Sequence, residues 1–268
     1  MPIIHVNGID IYYEDTKNGK DVIVLAHGLL FSCRMFDKQI ELLKKKHRCV
    51  VFDFRGHGKS GITKKYYDIE MLYQDVDLLL KELKITSCNF VGLSMGGFIG
   101  MRLAVRKPKL IKSLILIGTS ADPEPKENIS KYKLLNFAAQ WFGLKVVANR
   151  VMSIMFGKKF LNDQERAAEF RIWQKYFISN DRNGITKSVK AVINRKGVYD
   201  ELSLIKCPTL IMVGDEDFAT TPEKSMRIHK KIKKSKLKII HGAGHTATVE
   251  EPEQVNKSII DFLRKHKQ

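Results

Sequence analysis

The chain has 268 residues, 44% hydrophobic and 28% charged. That length can bury a substantial core, and that balance excludes a mainly disordered chain, a collagen-like repeat and a membrane bundle. The formal net charge is +18, but lysine outnumbers arginine and the basic residues run along the whole chain. There is no RGG tract, heptad-bearing basic helix or zinc-finger spacing, so the charge reads as a solvated surface and no nucleic-acid partner is expected.

No apolar run approaches the roughly 18–20 residues of a bilayer span, and the opening MPIIHVNGIDIYYED has no export-signal pattern. The expectation is a cytoplasmic protein with no membrane partner. Cys33, Cys49, Cys88 and Cys207 show neither CxxC nor metal spacing, so they read as reduced thiols and no metal site is expected. Oligomeric state is not written in the sequence.

In chain order, Ile3–Val6 and Ile9–Tyr13 flank Asn7-Gly8, a two-residue hairpin signal. Val22–Ala26 and Cys49–Phe52 are short, wholly apolar runs of the kind buried in parallel sheets. Helical spacing covers Phe36–Lys45 and, more strongly, Ile69–Leu83, where Leu72, Val76, Leu79, Leu80 and Leu83 share a face. Asn89–Gly92, a helix over Gly96–Arg106 and a strand over Leu114–Ile117 continue the alternation. Such alternation predicts a parallel sheet with helices on both faces.

The alternation stops near Ser120. Helical stretches follow at Tyr132–Trp141, Val146–Met155, Gln164–Phe177 and Thr186–Ile193. Strand and helix resume with Thr209–Val213, Pro222–Ile232, Leu237–Ile240 and Pro252–Arg264. The predicted organisation is an α/β core, residues 1–120 and 207–268, with a helical cap inserted at residues 121–206.

The chemical signal is Gly92-Leu93-Ser94-Met95-Gly96, after an apolar run and before a helix. A nucleophile on a sharp strand-to-helix turn needs neighbours without side chains, and the helix N-terminus favours developing negative charge. Serine also needs a base. His245, in His241-Gly242-Ala243-Gly244-His245 past the last strand, is the candidate, with His241 its local rival. A carboxylate must orient the imidazole. Val213-Gly214-Asp215-Glu216-Asp217 offers three, Asp217 being preferred at the loop tip, and Asp122 is a fourth candidate.

Two backbone N–H donors should hold an oxyanion, those of Met95 and Leu29, the latter in His27-Gly28-Leu29-Leu30. Asp53, Arg55 and His57, in Asp53-Phe54-Arg55-Gly56-His57-Gly58-Lys59-Ser60, read as residues that knit loops together.

HGLL, DFRGHGKS, GLSMGG, VGDEDFATTPE and GAGHTATVEEPE together make the chain resemble the α/β-hydrolase superfamily over essentially its whole length. Within it, GLSMGGFIGMRLA and GTSADPEP are similar to the small bacterial esterase and 3-oxoadipate enol-lactonase branch. The resemblance implies an α/β-hydrolase fold, a triad of Ser94, Asp217 and His245, and Leu29 and Met95 as oxyanion donors. Leu29 stands where an aromatic residue is common, and Met35 where many relatives have Trp. Serine at position 94 disfavours the dehalogenase and epoxide-hydrolase branches.

The reading is a cofactor-free serine hydrolase acting on small-molecule carboxylic esters or lactones. Its apolar pocket is expected to be lined by Leu30 and Met35 from the core and Trp141, Phe142 and Trp173 from the cap. C–C bond hydrolysis or perhydrolysis on the same triad, and a ligand receptor with little turnover, are the alternatives.

Overall fold

The computed structural model describes residues 2–266. The chain opens with β1 (Ile3–Val6) and β2 (Ile9–Asp15), which pair antiparallel with Val6 opposite Ile9 across the Asn7-Gly8 turn. Next come β3 (Val22–Ala26), a 3-10 turn at Cys33–Phe36, α1 (Asp37–Leu43), β4 (Arg48–Phe52), α2 (Ile69–Glu82), β5 (Cys88–Leu93), α3 (Met95–Arg106) and β6 (Ile111–Ile117). Five helices follow before the sheet resumes: α4 (Lys126–Phe142), α5 (Leu144–Met155), α6 (Lys158–Asn162), α7 (Ala167–Ile178) and α8 (Arg182–Ile193). A 3-10 turn at Tyr199–Leu204, β7 (Thr209–Gly214), α9 (Pro222–Lys231), β8 (Ser235–Ile240), α10 (Ala247–Glu250) and α11 (Pro252–Lys265) complete the chain.

The eight strands form one sheet in the order β1-β2-β4-β3-β5-β6-β7-β8, parallel from β4 through β8. Alternation along each strand divides the core. Ile23, Leu25, Val91, Leu93, Ile115 and Ile117 point to one face, beneath α1, α11 and much of the insert. Val24, Ala26, Phe90, Leu114 and Leu116 point to the other, beneath α2, α3 and α9. Strands buried on both faces are why these runs lack polar alternation.

Several boundaries differ from expectation for local reasons. The helix expected from Phe36 begins as the 3-10 turn, where Ser32 Oγ accepts from Arg34 N–H, and becomes α-helical at Asp37. The stretch expected from Gln164 becomes α-helical at Ala167, because Asp163 Oδ1 first accepts from the Glu165 and Arg166 N–H groups. The short α6 and α10 carry too few turns to show helical periodicity in sequence.

Candidate active site

Ser94 sits between β5 and α3 with φ 52° and ψ −111°, a conformation that costs about 1–3 kcal/mol in a non-glycine residue and persists only when its surroundings enforce it. The enforcement is visible. Ser94 N–H donates to the Ile117 carbonyl at 2.8 Å, and Thr119 Oγ1 donates to the Ser94 carbonyl at 2.8 Å. Gly96 N–H donates to the His27 carbonyl at 3.1 Å. A side chain at Gly96 would run into the Ala26 carbonyl, and one at Gly92 into the Gly96 backbone. Glycine at both positions lets the turn close.

His245 follows β8 and is buried, with Nδ1 2.9 Å from Asp217 Oδ2 and 3.1 Å from Oδ1. Asp217, equally buried beyond β7, also accepts from Thr220 N–H at 2.8 Å and Thr220 Oγ1 at 2.9 Å. Sequence reasoning missed Thr220. Its signal was available: an aspartate three residues before a threonine can accept that residue's N–H and hydroxyl in a tight turn.

The rival groups are engaged elsewhere. His241 is exposed and pairs with Asp215 at 3.0 Å. Glu216 accepts from Lys159 N–H at 3.0 Å, and Asp122 pairs with Arg227 at 3.1 Å.

A second buried carboxylate, Glu250, was also missed. It accepts from Gly244 N–H (3.0 Å), Gly157 N–H (2.7 Å), Thr246 N–H (3.0 Å) and Thr246 Oγ1 (2.7 Å). It thereby locks the His245 loop to the start of α6. His245 N–H and Thr246 N–H both donate to Met155 at the end of α5, so the insert and the imidazole loop are fastened together. Burial pushes the Glu250 carboxyl above the ordinary range, against the lowering effect of its four donors. Nothing in the local sequence separates Glu250 from its neighbour Glu251.

The loop after β3 is braced by two buried histidines. His27 Nδ1 lies 2.6 Å from the Gly28 carbonyl, while its Nε2 accepts from Phe54 N–H at 2.9 Å. His57 Nε2 accepts from Leu30 N–H at 3.4 Å. Burial lowers their pKa values to about 4 and about 3, keeping both rings neutral acceptors at pH 7. Asp53 accepts from Cys33 and Lys59 N–H groups, and Arg55 forms a buried pair with Asp75 at 2.5 Å. Among the described residues, the Leu29 and Met95 N–H groups have no protein acceptor.

Ser94 and His245 open onto one cavity of about 130 Å³, walled by Leu29, Leu30, Thr220 and the inner faces of α4, α5 and α8. Leu30 is where the sequence reading put it. The other four expected pocket residues are elsewhere, and the structure corrects them. Met35 is sealed in the core, and Trp173 packs edge-on against Phe31 at 5.5 Å. Trp141 and Phe142 are exposed on the outside of the insert. The wall is instead aliphatic, with Leu135, Leu144, Val147, Val151, Ile185 and Val189 prominent. An apolar helix can be read from sequence, but which apolar residues face inward depends on its rotation.

Polar groups are few in this wall. Arg195 pairs with Glu124 at 2.7 Å, and both are buried. Glu124 also accepts from Asn128, and Arg195 donates to the Asp122 and Val192 carbonyls. Tyr132 lines the same wall, its phenol pushed up to about 12, first by burial and then by the Glu124 charge.

A family model described as the alpha/beta hydrolase fold matches residues 21–252. The 3-oxoadipate enol-lactonase 2 of Acinetobacter baylyi is 25% identical, covering 99% of each chain. Among solved structures, an enol-lactonase from Burkholderia xenovorans LB400 is similar with a TM-score of 0.91 and 28% identity, over 98% of this chain and 100% of that one. A thermophilic esterase from Thermogutta terrifontis, with malate bound, gives a TM-score of 0.90 and 25% identity, over 99% and 97%.

Proposed function

The chain belongs to the α/β-hydrolase family, and from that premise we propose that it is a serine hydrolase cleaving carboxylic esters or lactones of small to medium, largely apolar substrates. The observation that carries the reading is the shared cavity. Ser94, held on its strained turn, and His245, whose Nδ1 faces buried Asp217, both line it.

In this reading Ser94 Oγ attacks the carbonyl carbon while His245 Nε2 takes its proton, and Asp217 stabilises the imidazolium. The Leu29 and Met95 N–H groups receive the negative charge that develops on the carbonyl oxygen, with the N-terminus of α3 adding to it. His245 then protonates the departing alkoxide and activates the water that releases the acid.

The wall supports neutral substrates over anionic ones. Its guanidinium, Arg195, is balanced by Glu124 and bonded to two carbonyls, so a substrate carboxylate would have to compete with an existing buried pair. The enol-lactonase likeness therefore carries over as chemistry and not as a preference for a dicarboxylate.

The test is hydrolysis of p-nitrophenyl acetate, butyrate and octanoate, and of a neutral lactone beside its carboxylate-bearing counterpart, by wild type and Ser94→Ala. We expect turnover of neutral esters to fall by about a thousandfold or more in the variant at unchanged stability. Retained activity, or a preference for the anionic lactone, would overturn the respective part of the reading.

A further inference from the structure

The outer face of the insert carries an apolar surface that the proposed reaction does not use. Leu134, Phe137 and Trp141 follow one another at helical spacing along the solvent side of α4 and are 69%, 56% and 68% exposed. Phe142 and Val146, 68% and 65% exposed, flank the Gly143 bend into α5. The Phe137 and Trp141 rings are neighbours, their centroids 6.2 Å apart. Scattered single apolar residues are ordinary on a protein surface, but a contiguous stripe of this kind marks an interaction site.

The charge around it is mostly basic, with exposed Glu127 in the first turn of α4 and Asp181 at the N-cap of α8 the acids at its ends. Between Glu127 and Asp163 the chain has no acidic residue, while Lys131, Lys133, Lys145 and Arg150 are all exposed. The adjoining stretch from Arg182 to Tyr199 has none either, and it adds Lys190. Lys133 and Lys190 border a groove of about 390 Å³ whose wall also includes Phe137, Gln140 and Trp141. No ion pair engages Lys131, Lys133, Lys145 or Lys190 among the described residues.

We propose that this face of α4, α5 and α8 docks on an anionic lipid surface, the aromatic and aliphatic side chains entering the headgroup boundary and the lysines meeting the lipid phosphates. Trp and Phe beside lysine on one helical face is the composition of interfacial contact, and anionic headgroups supply the charge that the patch lacks. A second copy is the poorer occupant. A two-fold contact through this face would set Lys133 and Lys190 against a mostly basic surface, with no carboxylate between Glu127 and Asp163 to pair with them.

No helix among the described residues is long and apolar enough to cross a membrane, so the contact is peripheral. It departs from the expectation of no membrane partner. The inner face of α4, with Leu135 and Ala139, lines the cavity, so docking would put the cavity one helix thickness from the lipid.

The experiment is cosedimentation of the full chain with vesicles of phosphatidylglycerol and phosphatidylcholine mixed, and with pure phosphatidylcholine. It is joined by tryptophan emission in Trp173→Phe, which leaves Trp141 as the reporter. We expect binding to the anionic vesicles at least tenfold tighter than to the neutral ones, a blue shift of Trp141, and a loss of binding of at least tenfold in both Phe137→Ser/Trp141→Ser and Lys133→Glu/Lys190→Glu. Ser94→Ala should bind as wild type does, which separates this inference from the proposed hydrolysis. It is overturned by absence of partitioning, by partitioning that the Phe137→Ser/Trp141→Ser variant retains, or by a concentration-dependent dimer that shifts Trp141 without lipid.

Discussion

At the residue scale, three consecutive acids in one loop take three different partners. Asp215 turns out to His241 and Gly242, Glu216 reaches Lys159 on the insert, and Asp217 turns inward to His245. Loop-tip position was enough to favour Asp217 from sequence, because its neighbours are tied to groups further out. What holds Asp217 was not read, since Thr220 acts on the carboxylate through its hydroxyl, whose Oγ1 also lies 3.2 Å from His245 Nδ1. Thr220→Val keeps the β-branched shape and removes one hydrogen bond to a charged group, worth about 1.5 kcal/mol, or roughly tenfold. We expect ester kcat to fall by about that factor with a smaller change in KM, and Thr220→Ser to restore it. A kcat unchanged in the valine variant would show that His245 and the Thr220 N–H suffice to orient the carboxylate.

At the element scale, legibility follows how local the determinants are. The passage β5–Ser94–α3 was readable because its determinants lie within a few residues: an apolar run, glycines where a Cβ cannot fit, and a helix with Phe98 and Ile99 among its buried residues. The parallel sheet was readable for a similar reason, since strands buried on both faces are uniformly apolar. The insert was readable only as helices. On α4, Asn136 and Ala139 turn inward while Leu134, Phe137 and Trp141 turn out, so large apolar side chains mark the wrong face and the pocket assignment failed there. Met35 and Trp173 failed for the complementary reason, both being taken into the core. The elbow supports a sharp prediction. Gly96→Ala drives a methyl into the Ala26 carbonyl on central strand β3, which cannot yield without disturbing its pairing to β4 and β5. We expect a loss of more than about 3 kcal/mol in urea unfolding, or no folded protein. A variant within about 1 kcal/mol of wild type would mean that the elbow relaxes more freely than its packing implies.

At the scale of the whole molecule, two neutral histidines inside the fold make its stability depend on pH. His27 and His57 face each other edge-on with ring centroids 5.2 Å apart, and both accept backbone N–H groups that hold the loops around the cavity. Their folded pKa values are lowered to about 4 and about 3 from 6.5. Well above pH 6.5 neither state of the chain protonates them and they impose no penalty. As pH falls below 6.5 the unfolded chain binds protons that the folded chain refuses, so stability is lost progressively down to the folded values. Each unit of lowering corresponds to about 1.4 kcal/mol, so His27 alone costs about 3 kcal/mol by pH 4, and the pair approaches a slope of about 3 kcal/mol per pH unit near pH 5. Urea midpoints measured from pH 7.5 to pH 5 should be flat at the alkaline end and then fall. His57→Gln, whose amide oxygen can still accept from Leu30 N–H, should remove about half of that slope while leaving the His27 share. A slope in the glutamine variant equal to that of wild type would assign the acid sensitivity to the carboxylates and not to these rings.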